Sequence, residues 1–226
     1  MKLIIGNKNY SSWSVRPWLV LTHFQIPFDE QQVMLSGEGW REALRKVSPS
    51  GKVPVLVDGD VTVHESIAII EYLAERYPHK KIWPADRKLR AAARSAAAEM
   101  HAGFGALRNA APMNLRASYP NRIDLDSVAG DLRRVERLWG DLLDQSGGPY
   151  LFEAFCAADA MFAPLAARIR TYDLPTSDVA AEYVEAIYAL PAFQQLLSEA
   201  VKEPWTVQRD EIDYIQGDAK AITDFS

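Results

Sequence analysis

Apolar and polar positions in the first 77 residues follow two different periods. Short runs of apolar and β-branched residues predict strands, whereas apolar residues recurring every three or four positions predict helices. Gly, Pro and small polar residues separate most of these segments and indicate turns. The predicted order is β-α-β-α-β-β-α, from residues 3–5, 13–24, 26–28 together with 32–34, 39–47, 55–57, 61–63 and 67–77.

The rest of the chain has a helical pattern throughout. Two prolines and a run of charge make residues 78–88 the best candidate for a linker. Beyond it, alanine-rich and amphipathic segments predict helices at residues 89–109, 124–143, 159–172, 177–189 and 192–202. We therefore expect an α/β domain at residues 1–77 and an all-α domain at residues 89–226.

The segment at residues 48–66 carries the clearest signs of a binding site. A Pro-Ser-Gly turn leads into Pro54, which opens a strand without an N–H group. We expect the Val53-Pro54 bond to be cis, leaving the N–H and C=O of Val53 free to pair with an extended peptide. Glu65 and Ser66 precede the next helix, with Ser66 placed as its cap. The N-terminus of that helix suits a carboxylate, and Glu65 suits an ammonium group.

This segment resembles the glutathione-binding region of the cytosolic glutathione transferase superfamily. In that family a Gly-Lys-Val-Pro segment, here residues 51–54, pairs with the cysteinyl backbone of glutathione, and a Glu-Ser pair holds its γ-glutamyl end. The second domain also resembles the family at its capping motif, a Ser or Thr three residues before an Asp. Asp159 matches the Asp of this motif, whereas Cys156 replaces the usual Ser or Thr. The resemblance implies an α/β N-terminal thioredoxin-like domain followed by an all-α C-terminal domain, the glutathione transferase fold. It also implies that glutathione is bound by Lys52, Val53, Pro54, Glu65 and Ser66.

The chemistry implied by the resemblance needs a hydroxyl donor that keeps the thiol of glutathione ionised. A free thiol has a pKa of about 8.5, and a hydrogen bond to the sulfur near a helix N-terminus lowers that pKa. The loop before the first helix is similar to the Ser-rich motifs of the zeta and theta classes. Because proline is tolerated in the first helical turn, Pro17 predicts that this helix begins with Ser14 as its cap. Ser11 and Ser12 then stay in the loop as candidate catalytic donors, while a gapless alignment on the family's motif puts the serine position at Asn9.

Composition narrows the range of partners. The 226 residues are 48% hydrophobic and 24% charged, as in an ordinary soluble domain, and the formal net charge of −5 gives no basic surface for nucleic acid. No stretch reaches the roughly 18 apolar residues of a membrane-spanning helix. Cys156 is the single cysteine, and the histidines show no metal-ligand spacing. We expect a cytoplasmic protein with glutathione as co-substrate, no metal and no nucleic-acid or membrane partner; the resemblance adds a homodimer.

The resulting functional prediction is an enzyme, a glutathione transferase that conjugates the thiolate of glutathione to a small electrophile. Two alternatives stay open. One is a glutathione-dependent isomerase of the maleylacetoacetate type, whose dicarboxylate substrate would need cationic side chains in the pocket, with Arg108 as one candidate. The other is a non-catalytic glutathione-fold binding protein.

Overall fold

The computed structural model describes residues 1–35, 37 and 39–215, so residues 216–226 of the predicted helical domain lie outside the described residues. The predicted order of elements in the first 77 residues is confirmed. The elements are β1 (Lys2–Ile5), α1 (Ser12–His23), β2 (Asp29–Gln32), α2 (Trp40–Val47), β3 (Val55–Asp58), β4 (Val61–His64) and α3 (Ser66–Arg76).

The four strands form one mixed sheet in the order β2-β1-β3-β4. β1 is parallel to β2 and antiparallel to β3, and β3 is antiparallel to β4. Successive side chains of β1 point to opposite faces. Leu3 is buried in the main core with residues of α1 and α3, such as Leu19 and Ile69, whereas Ile4 packs with Leu44 of α2. The sheet therefore separates α2 from α1 and α3.

The second strand is not where the apolar pattern predicts it. β2 is the polar segment Asp29–Gln32, which lies between the two predicted apolar segments, residues 26–28 and 32–34, and shares only Gln32 with them. β2 lies at the edge of the sheet and pairs with β1 alone. An edge strand needs main-chain partners on one side, and its polar side chains discourage pairing with other chains. Ile26 of the predicted strand is buried in the core instead.

Helices make up most of the remaining described chain. A 3₁₀ turn at Pro78–Lys80 leads to a second group of helices, with a further 3₁₀ turn at Gln208–Asp210. None of the helices in the described ranges has the length and apolarity that a membrane crossing requires. The helices are α4 (Arg87–Ala102), α5 (Gly105–Ala110), α6 (Leu125–Ser146), α7 (Ala157–Tyr172), α8 (Asp178–Ala189), α9 (Pro191–Ala200) and α10 (Ile212–Ile215).

The single long helix predicted after the linker is instead two helices, α4 and α5. The break is at Gly103 and Phe104, where Phe104 has a φ of +57°. A Cβ atom at Gly103 would lie 2.8 Å from the carbonyl oxygen of Glu99, so the close approach requires glycine. After the break, Nη1 of Arg108 donates to the carbonyl oxygens of Gly103 and His101 at 3.1 and 3.3 Å. The break thus fixes Arg108 against the end of α4.

The capping motif of α7 forms as the sequence predicts. Cys156 is the N-cap residue, and the carboxylate of Asp159 accepts its N–H at 2.9 Å. The same carboxylate accepts the N–H of Leu151 at 3.0 Å and the hydroxyl of Tyr183 at 3.1 Å. Burial raises the pKa of Asp159 to about 6. Asp159 therefore joins α7 to α8 and to the preceding loop, which is a structural role.

Candidate functional site

All the predicted site residues except Ser66, which is fully buried, line two adjoining cavities. The first has a volume of about 400 Å³ and is lined by Ser11, Ser12, Lys52 and Val53 among others. The second, of about 180 Å³, is lined by Lys52, Val53, Pro54 and Glu65. Trp13 also lines both. Larger grooves, of about 920 Å³ along α6 and about 890 Å³ beside α3, contain none of the predicted site residues.

The backbone before β3 has the arrangement that the sequence predicts. The Val53-Pro54 peptide bond is cis. The hydroxyl of Ser48 binds both the N–H and the C=O of Lys52, at 3.1 and 2.6 Å, and holds the turn. Pairing of β3 with its neighbours begins at Val55, which leaves the backbone of Val53 outside the ladder at the edge of the cavities.

The start of α3 differs in one detail from the prediction. Glu65, not Ser66, is the N-cap residue, and Ser66 is the first residue of the helix. The predicted capping role of Ser66 is therefore wrong, and its fully buried hydroxyl has no hydrogen-bond partner among the described residues. Glu65 is exposed with a φ of +71°, an uncommon conformation for a residue with a side chain. In the part of the chain that the structure describes, no side chain caps the first N–H groups of α3, so they can bind an anion.

The start of α1 also differs. The helix begins at Ser12 with Ser11 as N-cap residue, so the predicted start at Ser14 is wrong and Pro17 lies inside the helix. The Ser11 carbonyl closes the first turn by accepting the N–H of Ser14 at 3.0 Å and of Val15 at 3.1 Å. The helix therefore forms although Pro17, which has no N–H group, leaves one hydrogen bond of its interior unmade.

The hydroxyls of this region form a short chain. Ser14 Oγ accepts the N–H of Gly6 at 3.1 Å and lies 2.8 Å from Ser11 Oγ. If Ser14 donates to Ser11, the Ser11 proton is left to donate toward the cavity that Ser11 lines. Ser12 lines the same cavity, and its hydroxyl makes no hydrogen bond within the described residues. Ser14 is nearly fully buried and is not among the residues lining either cavity.

Asn9 is engaged elsewhere. Its carboxamide is fully buried: Nδ2 donates to Asn114 Oδ1 at 2.9 Å, and Oδ1 accepts the N–H groups of Leu115 and Arg116 at 2.8 and 3.0 Å. Asn9 lines neither cavity, so the gapless alternative places its carboxamide away from the candidate site. Tyr10 lines the first cavity, but its hydroxyl donates to the Glu211 carboxylate. Burial, together with Glu211, raises the pKa of Tyr10 to about 12.

Three arginines lie near the first cavity, and Arg108 and Arg168 line it. Arg168 donates to the main-chain carbonyls of Ala111 and Pro164 at 2.8 and 2.9 Å, and burial lowers its pKa to about 10. Arg16 is fully buried, and its guanidinium donates no hydrogen bond within the described residues. Burial lowers the pKa of Arg16 well below its ordinary range, and the charges of Arg108 and Arg168 lower it further. Arg108 and Arg168 therefore bring positive charge to the cavity, which Asp210 also lines.

The sequence analysis missed two residues of the site. The helical pattern assigns Trp13 to packing, yet it lines both cavities, and the guanidinium carbons of Arg16 and Arg108 lie 4.2 and 4.5 Å from its ring centroid. Arg168, the second residue, belongs to no recognisable sequence motif. The sequence did contain one indication of its role: Arg168 is a charged residue within an alanine-rich helix, α7, that is buried along nearly its whole length. Charged residues are almost never fully buried unless they have a partner. Within the described ranges no three His, Cys, Asp or Glu side chains are grouped as metal ligands.

Comparison with known sequences identifies relatives. The family model "Glutathione S-transferase, N-terminal domain" matches residues 10–76. A Caenorhabditis elegans protein named probable maleylacetoacetate isomerase is 31% identical over 74% of this chain and 77% of that protein. A Vibrio cholerae protein of the same name is 35% identical over 45% of this chain and 50% of that protein. The chain thus aligns with about half the length of the Vibrio relative.

Comparison with solved structures agrees with the predicted fold. A glutathione transferase homolog from Burkholderia gl BGR1, with bound glutathione, is similar with a TM-score of 0.68 and 27% sequence identity. The similarity covers 89% of this chain and 98% of that one. The prediction of a thioredoxin-like N-terminal part followed by a helical C-terminal part is confirmed.

Proposed function

Because the chain belongs to the cytosolic glutathione transferase superfamily and is zeta-like, we propose that it binds glutathione and conjugates its thiolate to small electrophiles. The observation that carries this proposal is the convergence of two kinds of groups on adjoining cavities. Hydroxyl donors at Ser11 and Ser12 line one cavity, and the Val53-Pro54 backbone with Glu65 lines the other. Cytoplasmic location and a homodimer stay predictions.

The glutathione-binding part of the proposal uses groups that have no hydrogen-bond partner within the described residues. The free N–H groups at the start of α3 and the unpartnered hydroxyl of Ser66 suit the γ-glutamyl carboxylate, while Glu65 suits the adjacent ammonium. The backbone of Val53, outside the ladder, suits the cysteinyl amide. Lys52, exposed at the junction of both cavities, is the proposed partner of the glycyl carboxylate.

The catalytic part of the proposal is stabilisation of the thiolate. The chain from the Gly6 N–H through Ser14 to Ser11 can orient the Ser11 hydroxyl as a donor to sulfur, with Ser12 as the second candidate. A hydrogen bond to an anion favours the ionised form, as does the N-terminus of α1. The protein then orients the thiolate and excludes water while the sulfur attacks the electrophile.

The experiment is calorimetric titration with glutathione followed by a panel of electrophiles, including an aryl halide, an epoxide, an enone, a hydroperoxide and maleylacetoacetate. We expect saturable glutathione binding and turnover of at least one electrophile. Binding without turnover of any would favour the non-catalytic binding protein, and absence of binding by the folded protein would refute the proposal.

A second candidate function, isomerisation of a maleylacetoacetate-like dicarboxylate, is favoured by the arginines. Arg108 and Arg168 line the cavity next to the serines, and their hydrogen bonds go to main-chain carbonyls, so a substrate carboxylate could be their anionic partner. Arg108→Gln is expected to reduce activity toward a dicarboxylate roughly 10- to 100-fold, corresponding to a charged hydrogen bond, and to change that toward an uncharged aryl halide little. Equal losses with both substrates would contradict a carboxylate-binding role.

A further inference from the structure

The loop between β1 and α1, residues 6–11, is held by a carboxylate from the far end of the chain. Glu203, in the segment after α9, accepts the consecutive N–H groups of Lys8 and Asn9 at 2.6 and 3.1 Å. Its side chain also accepts from Nε2 of Gln32. The residue is 7% exposed, so these bonds are shielded from water.

Three N–H groups at the end of the loop and the start of α1 are satisfied locally. Those of Tyr10 and Ser11 donate to the carbonyl of Asn7 at 3.3 and 2.8 Å, and that of Ser12 donates to the carbonyl of Tyr10 at 2.9 Å. These bonds close a compact turn but do not fix where the turn lies. The two bonds to Glu203 connect its backbone to a segment almost 200 residues away.

Arg116 strengthens the same connection. Its guanidinium donates to the main-chain carbonyls of Glu203 and Trp205 at 2.8 and 2.9 Å, and to the hydroxyl of Tyr10 at 2.8 Å. The carboxylate of Glu211 accepts the same Tyr10 hydroxyl. The loop and the segment after α9 therefore form one hydrogen-bonded unit directly before the two serines.

We propose that Glu203 is a positioning residue for the thiolate donor, a role that rests on the proposed glutathione transferase function. Ser11 follows Asn9 by two residues, and a hydroxyl must lie within a narrow range of distance and angle to donate effectively. A displacement of about 1 Å at a catalytic group can lower a rate by roughly 100-fold. The Asn9 side chain, bonded to residues 114–116, anchors the loop as well. By binding two successive backbone N–H groups, Glu203 completes this anchoring and helps to set the position from which the serines reach the sulfur.

The direction in which a Glu203 variant changes the pKa of the bound thiol distinguishes a positioning role from a purely electrostatic one. Replacing a nearby carboxylate by a neutral amide removes negative charge, which by itself would lower the pKa of the bound thiol. Loss of positioning weakens the hydrogen bond to the thiolate and raises that pKa. Glu203→Gln keeps the size of the side chain but replaces one acceptor oxygen by an NH₂ group, which cannot accept the second N–H.

Glu199 provides the matched control. It is a carboxylate on α9, four residues earlier, and it also reaches Lys8, but through the side-chain ammonium and not through the loop backbone. Glu199→Gln therefore removes the same charge from the same region and leaves both loop N–H bonds in place. Its bound thiol should have an unchanged or slightly lower pKa.

The experiment titrates the ultraviolet thiolate band of bound glutathione against pH for wild type, Glu203→Gln and Glu199→Gln. Turnover with the best electrophile of the panel and thermal unfolding are measured alongside. For Glu203→Gln we expect a 3- to 10-fold smaller thiolate fraction and kcat at neutral pH, with the KM for glutathione within twofold of wild type. Glu203→Asp keeps the charge but has a shorter side chain, and it should also lower the thiolate fraction and kcat. This variant replaces Glu203→Gln in the experiment if Glu203→Gln does not fold.

The outcomes are distinct. A thiolate titration in Glu203→Gln equal to that of Glu199→Gln, or shifted to lower pH, overturns the positioning role. A rise in KM with unchanged kcat also overturns it, since that would indicate a role in binding. If wild type itself binds no glutathione, the proposed function fails, and the positioning role fails with it.

Discussion

Removing the Ser11 hydroxyl is the most direct test of the proposed chemistry. Ser11→Ala deletes the group that lies 2.8 Å from Ser14 Oγ and lines the first cavity, and it leaves the backbone of α1 in place. The N–H of Gly6 keeps its acceptor on Ser14. The variant should therefore fold normally and lose a single donor.

The expected change in the pKa of the bound thiol follows from the charge of the acceptor, which is the thiolate. A hydrogen bond to a charged group contributes about 1.5–3 kcal/mol, and one pKa unit corresponds to about 1.4 kcal/mol. Loss of the Ser11 donor should thus raise the pKa of the bound thiol by roughly one to two units. Ser11 is only 8% exposed, so water replaces the hydroxyl poorly. At neutral pH the thiolate fraction and kcat should fall about 10- to 100-fold, and the affinity for glutathione should change little.

The assay is the ultraviolet thiolate band of the glutathione complex, titrated against pH for Ser11→Ala, Ser12→Ala and Ser14→Ala. Ser12→Ala tests the second candidate, a residue that also lines the cavity. Ser14→Ala leaves the buried N–H of Gly6 without its acceptor and should lower stability by about 1–3 kcal/mol. Its effect on the thiol pKa should be smaller than that of Ser11→Ala, because Ser11 keeps its own proton.

Two results would refute this reasoning. If only Ser14→Ala changed the titration, the sulfur would contact Ser14 and the role assigned to Ser11 would be wrong. If none of the three variants changed it, backbone N–H groups would hold the thiolate, since the carboxamide of Asn9 is already committed to the segment at residues 114–116.

Three further predictions concern binding, stability and pH. Glu65→Ala should weaken glutathione binding by about 1.5–3 kcal/mol in calorimetry, and unchanged affinity in the folded variant would remove Glu65 from the site. Asp159→Ala leaves three buried donors unpaired and should lower the free energy of unfolding by roughly 3–5 kcal/mol in urea titration, whereas Tyr183→Phe, which removes one donor, should lower it by about 1 kcal/mol. Hydrogen bonding to Arg134 lowers the pKa of Glu99, so this pair stabilises the folded state above the unfolded pKa of Glu99 and stops doing so as pH falls through the lowered value. Because both side chains are about one-third exposed, Glu99→Gln should cost less than about 1 kcal/mol at neutral pH and nothing in strong acid; a difference independent of pH would contradict the ion-pair account.

Local sequence determined the order of elements and several of the groups around the proposed glutathione site. Period-two and helical patterns, with Gly and Pro at the turns, specify β-α-β-α-β-β-α because each depends on neighbours a few residues apart. The α3 start beside Glu65 follows from a cap-like pair that can be recognised in isolation, and Pro54 permits the cis bond found at Val53-Pro54. The family's Gly-Lys-Val-Pro and Glu-Ser motifs, at residues 51–54 and 65–66, are likewise short and can be recognised locally.

Tertiary contacts decided the rest. β2 forms at a polar segment because β1 offers a main-chain edge there, and the Ser14 hydroxyl, predicted to cap α1, instead accepts the N–H of Gly6. No local pattern could place Arg168 beside the serines, or bring Glu203 to the backbone of Lys8 and Asn9. Such contacts join residues far apart in the chain, and their free energy depends on burial and charge, which exist only once the helices have packed around the sheet.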